Sequence, residues 1–219
     1  MDTEYEMARR HYGYGRWDAR YWFIGPEQGK GRNESFDNTL RVNAWRQLGA
    51  SELCDCYDFH CLIGEQDWHK DRPNLQRTGR PLILLLKTFL NESTHLDSLR
   101  VYQRDHWGRE NGSETCVIEL SGSAVRNSKV CIDRERFRHE RIEIIRERMR
   151  THKPEFVVMY GKKDHAHWKE IAGCEPICDD VVRHGPTMIA FAPHPNTRRR
   201  RDTDWEELGK KLRKIAGRL

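Results

Sequence analysis

The stretch YWFIGPEQGKG, residues Tyr21 to Gly31, joins an apolar run of strand character to a glycine-rich turn that carries a carboxylate. Three other runs share this character, because each is rich in β-branched, aromatic or apolar residues and ends at a turn signal. The four predicted strands are Arg20–Ile24, Thr115–Leu120, Glu155–Tyr160 and Thr187–Ala192. Parallel sheets bind ligands beyond the carboxyl ends of their strands, so the residues after each run are the first candidates for a functional site.

Helical patterns lie between these strands, with apolar residues at spacings of three and four. The predicted helices are Leu40–Leu48, Pro81–Leu90, Asp133–Met149, His165–Ala172 and a last helix from Thr203, where Thr-x-x-Glu predicts a capping box. Strands that alternate with helices predict an α/β fold, here a three-layer α/β/α arrangement around a central, mainly parallel four-stranded sheet. We expect one domain over residues 1–219, with 52–77 as a candidate insertion and 203–219 as the C-terminal helix.

Charge is unevenly distributed along the chain. Charged residues make up 33% of the sequence and the formal net charge is +5. Acidic residues gather between Glu52 and Asp71, whereas Arg198 to Arg201 form an unbroken basic run. No run reaches the roughly 20 apolar residues of a membrane helix, and the first residues lack the apolar stretch of a signal peptide. We therefore expect a soluble, cytoplasmic protein that does not associate with membranes.

The seven cysteines raise the question of a metal site, because Cys54, Cys56 and Cys61 stand beside His60. Zinc sites usually present two Cys-x2-4-Cys or Cys/His pairs, and this spacing differs from that pattern. The sequence therefore favours buried or surface thiols in a reducing cytosol, and predicts no metal.

The turn after the first strand does not match a phosphate-binding loop. The Walker pattern needs lysine followed by serine or threonine after a second glycine, and the sequence from Gly29 to Arg32 supplies neither at that spacing. The dinucleotide fingerprint fails because Glu27 stands where its second glycine belongs. A carboxylate there would also repel phosphate.

A carboxylate after the first strand and a histidine after the last suit the hydrolysis of an N-glycosidic bond in a nucleic acid. Glu27 is placed to orient a water and to stabilise a cationic sugar. His194 is placed to donate a hydrogen bond to a departing base that carries negative charge. The basic run beyond His194 would hold phosphates on either side.

These residues resemble those of the uracil-DNA glycosylase superfamily. Members carry a first motif of the form Gly-x-(Asp/Asn/Ala)-Pro-Gly after the first strand and a His-Pro-Ser motif, or one similar to it, after the last. Here GPEQG, residues 25–29, occupies the first place and HPN, residues 194–196, the second. LQRTGRPLILLL and KPEFVVMYG between them are similar to the family's first long helix and its Lys-Pro, strand and glycine.

The resemblance implies roles for particular residues. Glu27 and His194 would be the catalytic pair, and the region from Asn196 to Arg199 would enter the duplex as the target nucleotide flips out. The base-binding residues would be Gln28, Ser121, Ser123 and Asn127. The DNA-binding residues would be Lys162, Lys163, Asn196, Thr197, Arg198, Arg199 and Arg200.

The chain departs from the family pattern in ways that bear on its substrate. Gln28 stands where the first motif has proline, and small residues, Ser121 to Ala124, replace the asparagine that reads uracil in uracil-specific members. Small residues leave room, so the resemblance implies a monofunctional glycosylase for a bulky modified pyrimidine, as in defence against phages with hypermodified DNA. Uracil-DNA glycosylase activity in base-excision repair and a non-catalytic DNA-binding module remain the alternatives.

The resemblance also bears on cofactors and partners. Members with an iron–sulfur cluster place two cysteines before the first motif, and this chain has none before Gly25. We therefore expect no cofactor, double-stranded DNA as the partner, and a monomer.

Overall fold

The computed structural model describes residues 3–26, 38–122, 131–198 and 200–217, and in this part of the chain seven strands form one mixed sheet. The strands are β1 (Gly13–Tyr14), β2 (Tyr21–Gly25), β3 (Leu53–Cys54), β4 (Thr115–Glu119), β5 (Phe156–Tyr160), β6 (Val181–His184) and β7 (Thr187–Ala192). Their order across the sheet is β3-β1-β4-β2-β5-β7-β6. The helices are α1 (Thr3–Arg10), α2 (Asn38–Gln47), α3 (Cys56–Leu62), α4 (Gly79–Leu90), α5 (Leu96–Asp105), α6 (Cys131–His152), α7 (His165–Ala172) and α8 (Asp202–Ile215).

The four predicted strands are confirmed as β4, β2, β5 and β7, which are adjacent and parallel. In their register, Ile24 of β2 lies opposite Ile118 of β4 and Met159 of β5. The α/β class and the mainly parallel sheet are therefore confirmed.

The predicted number of four strands is wrong, because the sheet continues on both sides. On one side β1 pairs antiparallel with β4 and parallel with β3, and on the other β6 pairs antiparallel with β7. β1 and β3 have two residues each, too few to show a period-two pattern. β6 is a half-exposed edge strand whose Arg183 and His184 interrupt its apolar character.

Helices cover both faces of the sheet, which explains why all five residues of β2 are buried. Tyr21 and Phe23 point to the face packed against α4 and α8, whereas Trp22 and Ile24 point to the face packed against α6 and α7. The alternation follows from the opposite orientation of successive side chains along a strand. Each face therefore has its own apolar core.

The five predicted helices correspond to α2, α4, α6, α7 and α8, and α1, α3 and α5 are additional. α8 begins at Asp202 rather than Thr203, and its capping contact differs from the predicted Thr203–Glu206 box. The backbone N–H of Arg201 donates to the Asp204 carboxylate at 2.8 Å, because Asp204 is three residues beyond this cap. No helix in the described ranges has the length and apolar character that crossing a membrane requires.

Candidate functional site at the carboxyl ends of the strands

The carboxyl ends of β2, β4, β5 and β7 lie along one edge of the sheet because the four strands are parallel. A Cβ atom placed on Gly25, at the end of β2, would overlap with the hydroxyl group of Tyr160 at the end of β5. A Cβ placed on Gly161 would lie 3.7 Å from the ring of Pro26. Gly25 therefore leaves room for the Tyr160 side chain, and Pro26 lies close to Gly161.

His194 follows β7 at this edge and is held as a neutral imidazole. Its ring packs edge-on against Tyr160, with 5.6 Å between ring centroids. The backbone N–H of Asn196 donates a hydrogen bond to Nδ1 at 3.2 Å, which leaves the proton of the neutral ring on Nε2. Burial lowers the pKa of His194, while the Asp164 carboxylate opposes part of this shift. His194 therefore presents an Nε2–H donor without a positive charge.

Tyr160 and Asp164 belong to the same edge, although the sequence analysis did not select them. Burial raises the pKa of the Tyr160 phenol, and the nearby Glu119 carboxylate raises it further, so the phenol keeps its proton. Asp164 lies in the turn Lys162–Asp164, where its Oδ2 would be 3.3 Å from a Cβ on Gly161. The signal available in the sequence was position, since both residues lie within three of the predicted Lys162 and Lys163.

Glu119 is a third residue at this edge that the sequence did not single out. It ends β4, lies opposite Gly25 in the sheet register, and is 7% exposed. Its backbone carbonyl accepts a hydrogen bond from the buried guanidinium of Arg141 at 2.6 Å. A charged residue at the end of an otherwise apolar strand was the signal that pointed to it.

The small residues after β4 are packed against α1. Ser121 is buried, and a Cβ on Gly122 would lie 2.6 to 2.9 Å from the backbone carbonyl oxygens of His11, Ala8 and Met7. The space beside Gly122, which the sequence predicts to be part of a base pocket, is therefore filled by the backbone at the end of α1.

An open groove of about 1680 Å³ runs from this edge of the sheet to α8. Its lining near the strand ends includes Pro26, Lys162, Lys163, Asp164 and His194. Both lysine side chains are exposed, and the turn that carries them begins at Gly161, whose φ of 111° favours glycine. The groove therefore brings the predicted lysines and His194 to one surface.

The predicted DNA-binding residues after His194 differ in their exposure to solvent. Asn196, Thr197 and Arg198 are exposed, and the Asn196 side-chain amide donates to the Thr78 hydroxyl at 3.1 Å, just before α4. Arg200 instead turns inward, with 7% of its side chain exposed. It pairs with Asp179 at 2.6 Å and lies over the ring of Trp205.

Five predicted site residues lie outside the described part of the chain: Glu27, Gln28, Ser123, Asn127 and Arg199. Their roles stay predictions. Among the described residues, Cys56, His60 and His69 form the one group of three side chains spaced to hold a metal ion, and they lie away from the groove. No protein-family model and no curated protein matches this chain.

Proposed function

We propose that this protein is a monofunctional DNA glycosylase that hydrolyses the N-glycosidic bond of a flipped-out modified pyrimidine and leaves an abasic site. The observation that carries the proposal is the state of His194. Its Nδ1 accepts a backbone hydrogen bond, its pKa is lowered by burial, and it lines the groove at the strand ends. A neutral donor suits a leaving base that becomes an anion, because it stabilises negative charge without first protonating the base.

In the proposed reaction, His194 stabilises the leaving base and Glu27 orients the attacking water. As the C1′–N bond breaks, its electron pair leaves with the base, and Nε2–H of His194 donates a hydrogen bond to the base oxygen that gains charge. Glu27, assigned by its place in the sequence, orients a water molecule toward the cationic sugar. The water oxygen bonds to C1′, its released proton passes to the carboxylate or solvent, and the base later takes up a proton.

The four adjacent parallel strands support this proposal. We propose that the parallel strands β4, β2, β5 and β7, with helices on both faces, are the glycosylase-like three-layer core. The strands β1, β3 and β6 would then be additions at its two sides. Under this proposal the predicted catalytic residues follow the first and last strands of the core, β2 and β7.

The groove beside His194 supports a substrate with a bulky substituent. Its volume far exceeds that of a nucleobase, and its lining mixes acidic and basic side chains that suit a polar group such as a sugar. We propose a hypermodified phage-type base as substrate, with a role in antiviral defence. Uracil is the alternative, and the packing at Gly122 removes one argument against it.

Measuring abasic-site formation tests the proposal. Duplexes that contain uracil, hydroxymethyluracil or glucosylated hydroxymethylcytosine are incubated with the wild type, Glu27→Ala, His194→Ala and His184→Ala. We expect cleavage of a modified base, with losses of about 100-fold or more for Glu27→Ala and His194→Ala because each removes a positioned catalytic group. His184 is an exposed histidine on the edge strand β6, so His184→Ala is the matched control and should retain activity.

DNA binding by the same variants separates the glycosylase from a non-catalytic DNA-binding module. The glycosylase proposal expects Glu27→Ala and His194→Ala to bind the duplex nearly as well as the wild type. Duplex binding by a wild type that releases no base from any of the three substrates would favour the binding module. Strong release of uracil alone would overturn the bulky-substrate assignment while keeping the glycosylase.

A further inference from the structure

Three potential metal ligands converge below the β1–β3 side of the sheet. Cys56 and His60 are one turn apart on α3, and His69 ends the following turn, Gln66–His69. The Cys56 Sγ lies 3.7 Å from His60 Nδ1, and His60 Nδ1 lies 2.8 Å from His69 Nε2. All three side chains are buried, and their ligand atoms lie within 4.8 Å of one another.

These separations are close to those of a tetrahedral zinc site. With Zn–S near 2.3 Å and Zn–N near 2.0 to 2.1 Å, tetrahedral angles place sulfur about 3.6 Å from nitrogen and two nitrogens about 3.3 Å apart. The sulfur-to-nitrogen distance agrees with this value, and the two nitrogens need to separate by about 0.5 Å. We expect rotation of the two histidine side chains to supply this change.

A nearby backbone carbonyl group orients the His69 ring for metal binding. Its Nδ1 lies 3.5 Å from the backbone carbonyl oxygen of Arg104, at the end of α5. A proton on Nδ1 directed at this carbonyl leaves the lone pair on Nε2, which faces His60. Metal-binding histidines are commonly oriented in this way, by a carbonyl or carboxylate on the ring nitrogen that does not bind the metal.

To bind a metal, His60 Nδ1 and His69 Nε2 each have to present a lone pair, and the Cys56 thiol has to release its proton. The 2.8 Å contact between the two nitrogens is a hydrogen bond in the metal-free protein, and a metal ion would replace it.

We propose that Cys56, His60 and His69 bind a zinc ion. One thiolate and two imidazoles are a donor set that zinc favours, and a solvent molecule would complete the tetrahedron. The ion would fasten α3 and the turn Gln66–His69 to the end of α5, beside the corner where the Asp55 carboxylate accepts hydrogen bonds from Arg109 and from the Glu110 amide. This site is separate from the groove, and the proposal does not rest on the glycosylase assignment.

Metal analysis of the protein made without a polyhistidine tag tests this site. After expression in zinc-containing medium and dialysis, we expect about one zinc ion per chain by mass spectrometry. His69→Ala and Cys56→Ser should lose it, whereas Cys54→Ser, which changes another buried thiol two residues away, should keep it. Cobalt in place of zinc should give the visible absorption of a tetrahedral site and a thiolate-to-metal charge-transfer band in the wild type.

A second measurement keeps the test valid if a variant fails to fold. Removal of the metal from the wild type by a chelator should lower the midpoint of thermal unfolding by several degrees, and zinc should restore it. Wild-type protein that contains no zinc and takes up neither zinc nor cobalt would overturn the proposal. Retention of zinc by a folded His69→Ala variant would overturn it too, because the ion would then be bound elsewhere.

Discussion

His11 and His194 both have a lowered pKa because burial disfavours the protonated ring. They differ in location, since His11 lies in the core and His194 lines the groove. His11 is 1% exposed and packs against Phe59, with 5.3 Å between ring centroids. Burial lowers the pKa of His11 well below its ordinary value, and the positive charges of Arg41 and Arg141 lower it further. His194 lines the groove, so its lowered pKa would matter to the proposed reaction, whereas the lowered pKa of His11 matters to stability.

Because His11 is buried in its neutral form, the stability of the protein should depend on pH. In the unfolded chain His11 binds a proton near pH 6.5, but in the folded protein it does not until the pH is much lower. The unfolded state therefore binds more protons below pH 6.5, and the free energy of unfolding falls as the pH falls. His11 should contribute up to about 1.4 kcal/mol per pH unit to this slope, a value approached about one unit below pH 6.5.

Urea unfolding between pH 7.5 and 5 measures this contribution. His11→Gln should make the slope of unfolding free energy against pH shallower below about pH 6.5, most strongly toward pH 5, and His184→Gln on the exposed edge should leave it unchanged. The comparison uses slopes, so a constant loss of stability in His11→Gln does not affect it. Equal slopes in the wild type and His11→Gln would contradict the burial of a neutral His11.

Arg141 shows how a buried charge is held beside the candidate site. Its guanidinium donates to the backbone carbonyl oxygens of Glu119 and Leu120, at the end of β4, and to those of Ala8 and Arg9 in α1. Burial lowers its pKa to about 10, and it lies 4.0 Å from the ring centroid of Tyr12. Since few other side chains present so many donors in one plane, Arg141 fixes α1 against the carboxyl end of β4.

The helices α4 and α8 approach each other closely at Gly209. A Cβ placed on Gly209 would lie 2.6 Å from the Leu85 carbonyl oxygen and 2.9 Å from the Thr88 Cβ. Arg80 near the start of α4 also pairs with Asp202 at the start of α8. The two helices therefore form one layer over Tyr21 and Phe23 of β2.

We predict that Gly209→Ala destabilises the protein, although alanine is the better helix former. The gain in helix propensity is about 1 kcal/mol, whereas overpacking against a backbone carbonyl costs about 1 to 3 kcal/mol. Chemical denaturation should show a net loss of up to about 2 kcal/mol, while Lys210→Ala on the exposed side should change stability by less than about 0.5 kcal/mol. A more stable Gly209→Ala protein would argue against this close helix contact.

For the molecule as a whole, charge near the groove should matter more than net charge. Lys162 and Lys163 are exposed beside His194, at the carboxyl ends of the strands. Lys153 precedes β5 and so lies at the opposite edge of the sheet, and Lys70 follows the turn Gln66–His69. The two pairs of lysines carry equal charge at different places.

The salt dependence of duplex binding distinguishes these pairs. If both groove lysines contact phosphates, changing Lys162 and Lys163 to Gln should reduce the slope of log affinity against log salt by about 2. Changing Lys70 and Lys153 to Gln alters net charge equally and should leave the slope nearly unchanged. Equal effects of the two double variants would indicate general attraction rather than a DNA-binding surface at the groove.

Local sequence signals were enough to predict the four central strands and five of the helices. The strands β2, β4, β5 and β7 follow from dense apolar runs that end at glycine, serine or proline, and the helices follow from apolar spacing. These are local signals, because a segment's own residues decide whether it buries one face or two. The same signals pointed to His194 and the lysines, since strand ends are visible in the chain.

Contacts between side chains that are distant in the sequence became visible only in the folded chain. Cys56, His60 and His69 have an unusual spacing in the sequence, and they converge because α3 and the next turn fold back beneath the sheet. Arg200 belongs to a run of arginines that predicts an exposed surface, but its side chain is buried because it pairs with Asp179 and lies over the ring of Trp205. Such contacts depend on the packing of remote elements, which no local pattern encodes, whereas strand and helix formation depends chiefly on neighbours in the chain.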